Sequence, residues 1–410
     1  MMDILPVIYL GYMFISLYML SLFLLLYIWN RKTIFAFPIA KKDYNVSILV
    51  PAFNEEKTIK DTLEHIFAIE YEKIIEIIVI NDKSTDNTLQ IIKSLKKNHP
   101  KLKIIDNEVN LGKAGGLNKA LRIAKGELIA VVDADSYPAP ESIGRMVGFF
   151  DDEKVGAVTC PIIARNREKF VEKLQAIEYR VITVTRKLLD YVDGIYVTPG
   201  PLALYRKKAL LDIQGFDEKN LTEDIEATWH LVYNGWMRRM CLSTSVTSTV
   251  PSKWKTWYKQ RRRWNVGGLQ CIYKYKRAIF RHGMLGYFII PLFITSTFLG
   301  LLGLSIFFYL IVRRIISSYL FTKYSIDVGV PLLTFDELHI TPSILNYLGI
   351  ALFVFGAIFT LLVLSLLKER ILRRQNILNI LFYLIVYLTV YPFIMIGAIW
   401  HVIKRKKIWR

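Results

Sequence analysis

The chain has 410 residues, 53% of them hydrophobic and 22% charged, which is too apolar for an ordinary soluble enzyme and too charged for a bundle buried wholly in lipid. Its net charge of +19 gathers beside the apolar segments and in Lys253–Arg263, a pattern suited to an anionic membrane surface and a phosphorylated substrate; no nucleic-acid module signature is present, so nucleic acid is not an expected partner. Three dispersed cysteines (Cys160, Cys241, Cys271), with no Cys-x-x-Cys or His-Glu-x-x-His motif, speak against a disulfide framework and against zinc.

Ile4–Trp29 is uncharged and long enough to span a bilayer. With no basic region before it and no small-residue cleavage site after it, it reads as a retained span, so 1–30 is taken as an N-terminal transmembrane helix. Arg31, Lys32, Lys41 and Lys42 follow, and the positive-inside rule then predicts a cytosolic domain after it.

From Asn45 the pattern changes to short β-rich runs at Val46–Val50, Ile75–Ile80, Leu102–Ile105 and Leu128–Val132. They alternate with helical stretches near Glu55–Phe67, Asp86–Lys96 and Lys113–Ala124. This alternation predicts an α/β, Rossmann-like domain over 44–250 with a mostly parallel sheet. Ligands of such sheets bind at the carboxyl ends of the strands. The first strand ends in Ala52-Phe53-Asn54-Glu55 and the second in Asn81-Asp82. The Gly-rich turn Asn110–Asn118 opens a helix with Lys113, where a cation is unfavourable unless it meets an anion. Asp86 has the position of a helix cap, whereas Asp82 is the better ligand candidate.

The fourth strand ends in Asp133-Ala134-Asp135. On an extended strand, side chains two apart point the same way. Two carboxylates on one side invite a hard dication, Mg²⁺ or Mn²⁺, shared with a diphosphate; taken alone, the motif also fits a solvated turn. Further strand and helix signals follow at Gly156–Pro161 and Phe170–Leu189, and Gly200 and Pro201 make a defined turn before the next apolar run. Thr222-Glu223-Asp224 opens a helix through Tyr233, with Thr222 as a candidate cap and the two acids in a favourable first turn. Over 251–284, tryptophans interleave with basic residues, as in an amphipathic segment at a membrane interface. Gln260-x-x-Arg263-Trp264 lies within it.

The remainder, 285–410, reads as a C-terminal membrane region with spans at Phe288–Val312 and Ile344–Leu367. The loop between these spans carries Asp327, Asp336, Glu337 and His339, and Lys368–Arg370 with Arg373 and Arg374 mark a cytosolic turn. A last apolar stretch, Ile377–Ile403, is interrupted at Tyr391-Pro392; crossing straight would put Lys404–Lys407 outside, against the positive-inside rule, whereas a re-entrant hairpin at Pro392, the favoured reading, keeps them inside, although Arg313-Arg314 already breaks the rule on the outer side.

The ordered set Asn54-Glu55, Asp82, Lys113, Asp133-x-Asp135, Thr222-Glu223-Asp224 and Gln260-x-x-Arg263-Trp264, followed by membrane helices, resembles the processive membrane-embedded family-2 glycosyltransferases, the synthases of cellulose, chitin, hyaluronan and poly-N-acetylglucosamine. The resemblance runs over nearly the whole chain. Thr222–Trp236 looks most like the poly-N-acetylglucosamine synthases, and Pro199–Arg206 more like the hyaluronan synthases. The resemblance implies a GT-A domain, a UDP-sugar donor, and a polysaccharide or lipid-linked acceptor. It implies uridine contacts from Ala52, Asn54 and Asp82, with Glu55 beside them and Lys113 near the nucleotide. Asp133 and Asp135 correspond to the pair that holds ribose, diphosphate and Mg²⁺ or Mn²⁺. Asp224 resembles the general base, with Glu223 beside it at the acceptor. Gln260 and Arg263 resemble groups gripping diphosphate and acceptor, Trp264 the platform under the acceptor sugar, and Gly200-Pro201 part of the acceptor wall. It further implies a plasma-membrane protein in contact with lipids. A single N-terminal span and few later ones depart from many relatives, which leaves a homo-oligomer or an accessory subunit open.

Overall fold

The structure, a computed structural model, describes residues 4–328, 344–367 and 377–404. Asp336, Glu337, His339, Lys368–Arg370, Arg373, Arg374 and 405–407 of the basic tail lie outside them.

After α1 (Ile4–Asn30), the elements follow in order as β1 (Val46–Ala52), α2 (Ile59–Phe67), β2 (Ile74–Asn81), α3 (Thr88–Lys96), β3 (Leu102–Asp106), α4 (Gly112–Ile123) and β4 (Leu128–Val131). Then come β5 (Ser136–Pro138), α5 (Ser142–Val147), β6 (Val155–Thr159), β7 (Ile162–Ala164), α6 (Phe170–Asp190), β8 (Ala203–Arg206), α7 (Lys207–Asp212), α8 (Glu223–Tyr233), β9 (Met237–Met240), β10 (Val246–Ser248) and α9 (Trp254–Tyr275). α10 (Ile290–Val328), α11 (Ile344–Leu366) and the Ile377–Phe382 and Leu388–Ile403 helices complete the described chain.

The main sheet has seven strands in the order β3-β2-β1-β4-β8-β6-β9. β1, β2, β3 and β4 are parallel neighbours, and β8 is inserted antiparallel between β4 and β6. The continuous apolar runs of β1, β2 and β4 follow from burial on both faces. Ile48, Val50, Val79 and Ala130 enter one core, while Leu49, Ile78, Ile80 and Ile129 enter the other. This is the two-residue alternation of a strand. Because β8 runs against β4, the loop before it meets the end of β4, and the Asp133 amide donates to the Gly200 carbonyl at 3.2 Å. A second sheet, β5-β10-β7, leans on this end of the domain.

Among the described residues three helices are long and apolar enough to cross a membrane, Pro6–Asn30, Leu285–Val328 and Tyr347–Leu366, and the bent pair Ile377–Tyr387 with Thr389–Ile403 makes a fourth if it is one span. The second, at 44 residues, is about 66 Å long at 1.5 Å per residue. It therefore runs well past the span expected to end at Val312, and Asp327 lies in its last turn rather than in a loop. The last apolar stretch also differs from expectation. It bends by 41° at Tyr387, beside a π-helical turn, and Pro392 lies inside the following helix. The break therefore falls between Tyr387 and Thr389 rather than at Pro392.

α9 is only partly an exposed amphipathic face. Lys253, Trp254, Lys255 and Lys259 are exposed, but Trp257 is buried and its Nε1 donates to the Tyr387 hydroxyl at 2.6 Å. Arg261 is fully buried, paired through Nε with Glu178 Oε1 of α6 at 3.0 Å. The tryptophans thus dock α9 onto its own membrane helices as well as facing outwards.

Candidate active site

A cavity of about 380 Å³ opens where β4, the loop before β8, α4, α8, α6 and α9 converge. Lys113, Asp133, Asp135, Gly200, Pro201, Glu223, Asp224, Gln260, Arg263 and Trp264 all line it. Residues up to 151 positions apart in sequence are thereby brought to one place, with Lys113 and Trp264 at the two ends of that interval.

Asp133 and Asp135 do not continue the strand. β4 ends at Val131, and the Ser136 amide donates to the Asp133 carbonyl at 3.0 Å. A tight turn, rather than strand alternation, presents both carboxylates to the cavity. Lys113 Nζ lies 2.6 Å from Asp133 Oδ1 and 2.7 Å from Glu223 Oε1. Burial alone would lower the lysine's pKa, but Asp133 and Glu223 outweigh it and hold the ammonium above its ordinary value. Burial likewise pushes the Glu223 carboxyl up, and Lys113 more than reverses that. Gly200 is needed beside this pair because a Cβ there would come within 2.5 Å of Lys113 Nζ and 2.8 Å of Asp133 Oδ2.

Two carboxyls go the other way. Burial, then Asp133 and Glu55, push Asp135 up to about 7. Burial, then Glu223, push Asp224 up to about 6. A carboxyl poised near the working pH can take a proton from a hydroxyl, which suits general-base chemistry. Asp135 next to Asp133 is a hard-oxygen pair whose mutual repulsion a dication would relieve. Among the described residues no three His, Cys, Asp or Glu side chains form a ready metal cage.

Of the remaining sequence-derived residues, Thr222 also lines the cavity, whereas Ala52, Asn54, Glu55, Asp82 and Asp86 lie beside it rather than in its wall. The Ala52 carbonyl accepts from the Asp82 amide at 2.9 Å. Asn54, at φ 57°, accepts from the Thr85 amide at 2.8 Å. Glu55 Oε2 accepts from the Thr58 hydroxyl at 2.7 Å, and burial followed by Asp133 raises its pKa. Asp82 accepts from the Leu111 and Gly112 amides, each at 2.8 Å, so it fixes the Gly-rich turn that carries Lys113. Asp86 Oδ1 accepts from the Thr88 amide at 3.0 Å, the capping part expected of it. Thr222 stands at the N-cap of α8 but does not cap. Its hydroxyl donates to Asn220 Oδ1 at 3.2 Å, because the Asx turn at Asn220 organises this helix start instead.

Sequence reasoning missed the α6 wall. Tyr179, Ile182, Thr183 and Arg186 all line the cavity. Their i, i+3, i+4, i+7 spacing is one helical face and was the available signal. It also missed Gly267, where a Cβ would strike Thr222 Oγ1; this glycine lets α9 approach α8 closely enough to share the cavity. Arg261, inside the Gln260–Trp264 motif, supports it from behind: its guanidinium lies 4.1 Å from the Trp264 ring.

A family model described as "Glycosyl transferase family 2" matches residues 47–213. A poly-beta-1,6-N-acetyl-D-glucosamine synthase of Staphylococcus epidermidis is 31% identical over 325 residues, covering 73% of this chain and 76% of that protein. A synthase of the same name from Staphylococcus aureus strain COL is 32% identical over 229 residues, 55% of each chain. Among solved structures, a mannosyltransferase from Pyrobaculum calidifontis in complex with GDP-Man and Mn²⁺ superposes with a TM-score of 0.53 at 24% identity, covering 65% of this chain and 75% of that one. This last likeness speaks for a GT-A fold.

Proposed function

The chain belongs to glycosyl transferase family 2, and from that premise we propose that it is an inverting transferase that moves N-acetylglucosamine from UDP-N-acetylglucosamine to the end of a growing β-linked polysaccharide. The observation that carries the reading is one cavity whose wall brings two unlike sets of groups together. Its wall combines Lys113, Asp133 and Asp135 with Asp224, Gln260, Arg263 and Trp264, and Lys113, paired with both Asp133 and Glu223, links the two groups. A nucleotide diphosphate suits the first set and a sugar hydroxyl the second.

Asp224 is the general base. Its raised carboxyl takes the proton from the attacking acceptor hydroxyl as the new bond to the anomeric carbon forms and the bond to the diphosphate breaks. One base and one direct displacement imply inversion, so an α-linked donor gives a β-linked product. Lys113 and Arg263 stabilise the departing diphosphate, Arg263 through its planar fork. Asp135 with Asp133 would hold Mg²⁺ or Mn²⁺, which when bound supplies positive charge for the leaving group. Trp264 offers a flat apolar face to the C–H side of the acceptor sugar, and Arg261 beneath it and Gln260 beside it hold it in position. Ala52, Asn54, Glu55 and Asp82 form the neighbouring uridine side, Gly200 and Pro201 the acceptor wall, and Glu223 steadies Lys113 next to the base.

The cavity also reaches Phe293 and Thr297 of α10 and Met395 of the Leu388–Ile403 helix. This supports coupling of synthesis to passage of the chain into or across the plasma membrane, with the catalytic domain on the cytosolic side of Arg31 and Lys32. The same opening toward membrane helices favours a second reading, transfer of one sugar to a lipid-linked acceptor, and product length separates the two. The test is UDP release by detergent-purified protein with Mn²⁺ or Mg²⁺ across a panel of UDP-sugars, alongside Asp224→Asn. Metal-dependent release from UDP-N-acetylglucosamine that Asp224→Asn lacks, with nucleotide binding retained, is expected. Equal release by the variant, or an α-linked product by NMR, overturns the assignment of Asp224.

A further inference from the structure

Arg186 is 5% exposed, and its Nε has no hydrogen-bond partner. Its guanidinium makes no ion pair among the described residues. Two other arginines just as deeply buried are fully matched: Arg261 by Glu178, and Arg238 by the carbonyls of Ile195 and Asp193. Arg186 instead lines the cavity. It shares that wall with Tyr196 and Asp224, and after burial itself these two act on it more than Asp133 or Asp135 does. It therefore stands on the side of Asp224, the proposed base. A buried guanidinium without acceptors costs several kcal/mol, and a ligand that brings oxygen atoms to it removes that cost.

We infer that Arg186 reads the acetamido group of the acceptor sugar, donating to its carbonyl oxygen and rejecting a de-N-acetylated acceptor. The inference rests on the reading above, in which the acceptor is N-acetylglucosamine. Of the groups on such a sugar, the amide carbonyl is the strongest neutral acceptor, and a guanidinium N–H can donate to it directly. Removing the acetyl group leaves an ammonium. Two cations would then face each other in a low-dielectric wall, where repulsion is barely screened. The enzyme would thus extend only chains whose end is still acetylated. Removal of acetyl groups must then follow elongation or act away from the growing end.

The experiment compares soluble β-linked N-acetylglucosamine oligomers with the same oligomers de-N-acetylated, as acceptors for wild type, Arg186→Met and Arg186→Lys, reading UDP release and thermal melting. Wild type should prefer the acetylated oligomer. Arg186→Met should lose roughly tenfold to a hundredfold in acceptor kcat/KM, the scale of a hydrogen bond to a charged group, and its preference should collapse. KM for UDP-N-acetylglucosamine should hold, and Tm should not fall, because an unpartnered buried charge has been removed. Arg186→Lys should keep the rejection of the amine but bind the acetylated end more weakly. An unchanged acceptor preference in Arg186→Met overturns the inference alone. So does a fall in Tm with donor and acceptor KM affected equally, which would mark a structural arginine. Wild type that releases no UDP from UDP-N-acetylglucosamine, while another UDP-sugar works, overturns the proposed function and this inference with it.

Discussion

Lys113 Nζ lies 2.7 Å from Glu223 Oε1 and thereby joins the opening turn of α4 to the opening turn of α8 across the cavity. The lysine that would meet a diphosphate is already held by the residue next to the base. Lys113→Met should weaken UDP binding by roughly tenfold or more, the scale of a lost charge-assisted contact. It should also release Glu223 to the raised pKa its burial favours. Calorimetric titration with UDP measures the first effect; unchanged affinity would remove Lys113 from the donor site.

In the proposed mechanism both raised carboxyls act in their ionised forms, so activity should be lost on the acid side. With saturating donor, kcat should fall below about pH 6 as Asp224 takes up its proton. Affinity for Mn²⁺ with UDP should already weaken below about pH 7 through Asp135. Asp224 is raised above the unfolded value of about 3.9. The folded state therefore binds the proton more tightly, and its ionised form lowers stability above pH 6. Asp224→Asn should accordingly melt no lower, and at pH 8 higher, than wild type. A kcat profile flat from pH 5 to 8 would contradict the assignment.

The Arg261–Glu178 pair is the buried strut of the acceptor side, with Glu178 also accepting from the Tyr387 hydroxyl at 2.7 Å. Removing one partner strands the other charge, a cost of about 3–5 kcal/mol. Arg261→Met should therefore lower Tm by several degrees and loosen Trp264. Glu178→Leu combined with Arg261→Met should recover most of the Tm but not the acceptor KM. Melting curves and acceptor titrations on the three variants test this, and a double variant no better than the single one would argue against the pair.

Gly200→Ala should spare the fold and damage the site. The added methyl would meet only the ends of the Lys113 and Asp133 side chains, which can shift. An unchanged Tm with UDP release reduced at least tenfold is expected, as for a displaced catalytic constellation. Wild-type activity in this variant would show that the Lys113–Asp133 contact has slack.

The sequence alone determined much of this protein. Alternating apolar runs of β1–β4 and the helices between them read directly as a parallel α/β sheet, because strand and helix periodicities are local. The first span, and the roster from Asp133-x-Asp135 to Trp264, were equally legible, since each motif is a short run with distinctive chemistry. Where those motifs meet was decided only in three dimensions. The antiparallel insertion of β8 carries Gly200 to Asp133, and Asp82 spends its carboxylate on the turn that aims Lys113. Arg261 turned from one more basic residue of an interfacial helix into the buried partner of Glu178, and Arg186 from a helical arginine into an unpartnered cation in the cavity wall. Burial and pairing depend on neighbours distant in sequence, and no local pattern reports whether a charge will find its counter-charge.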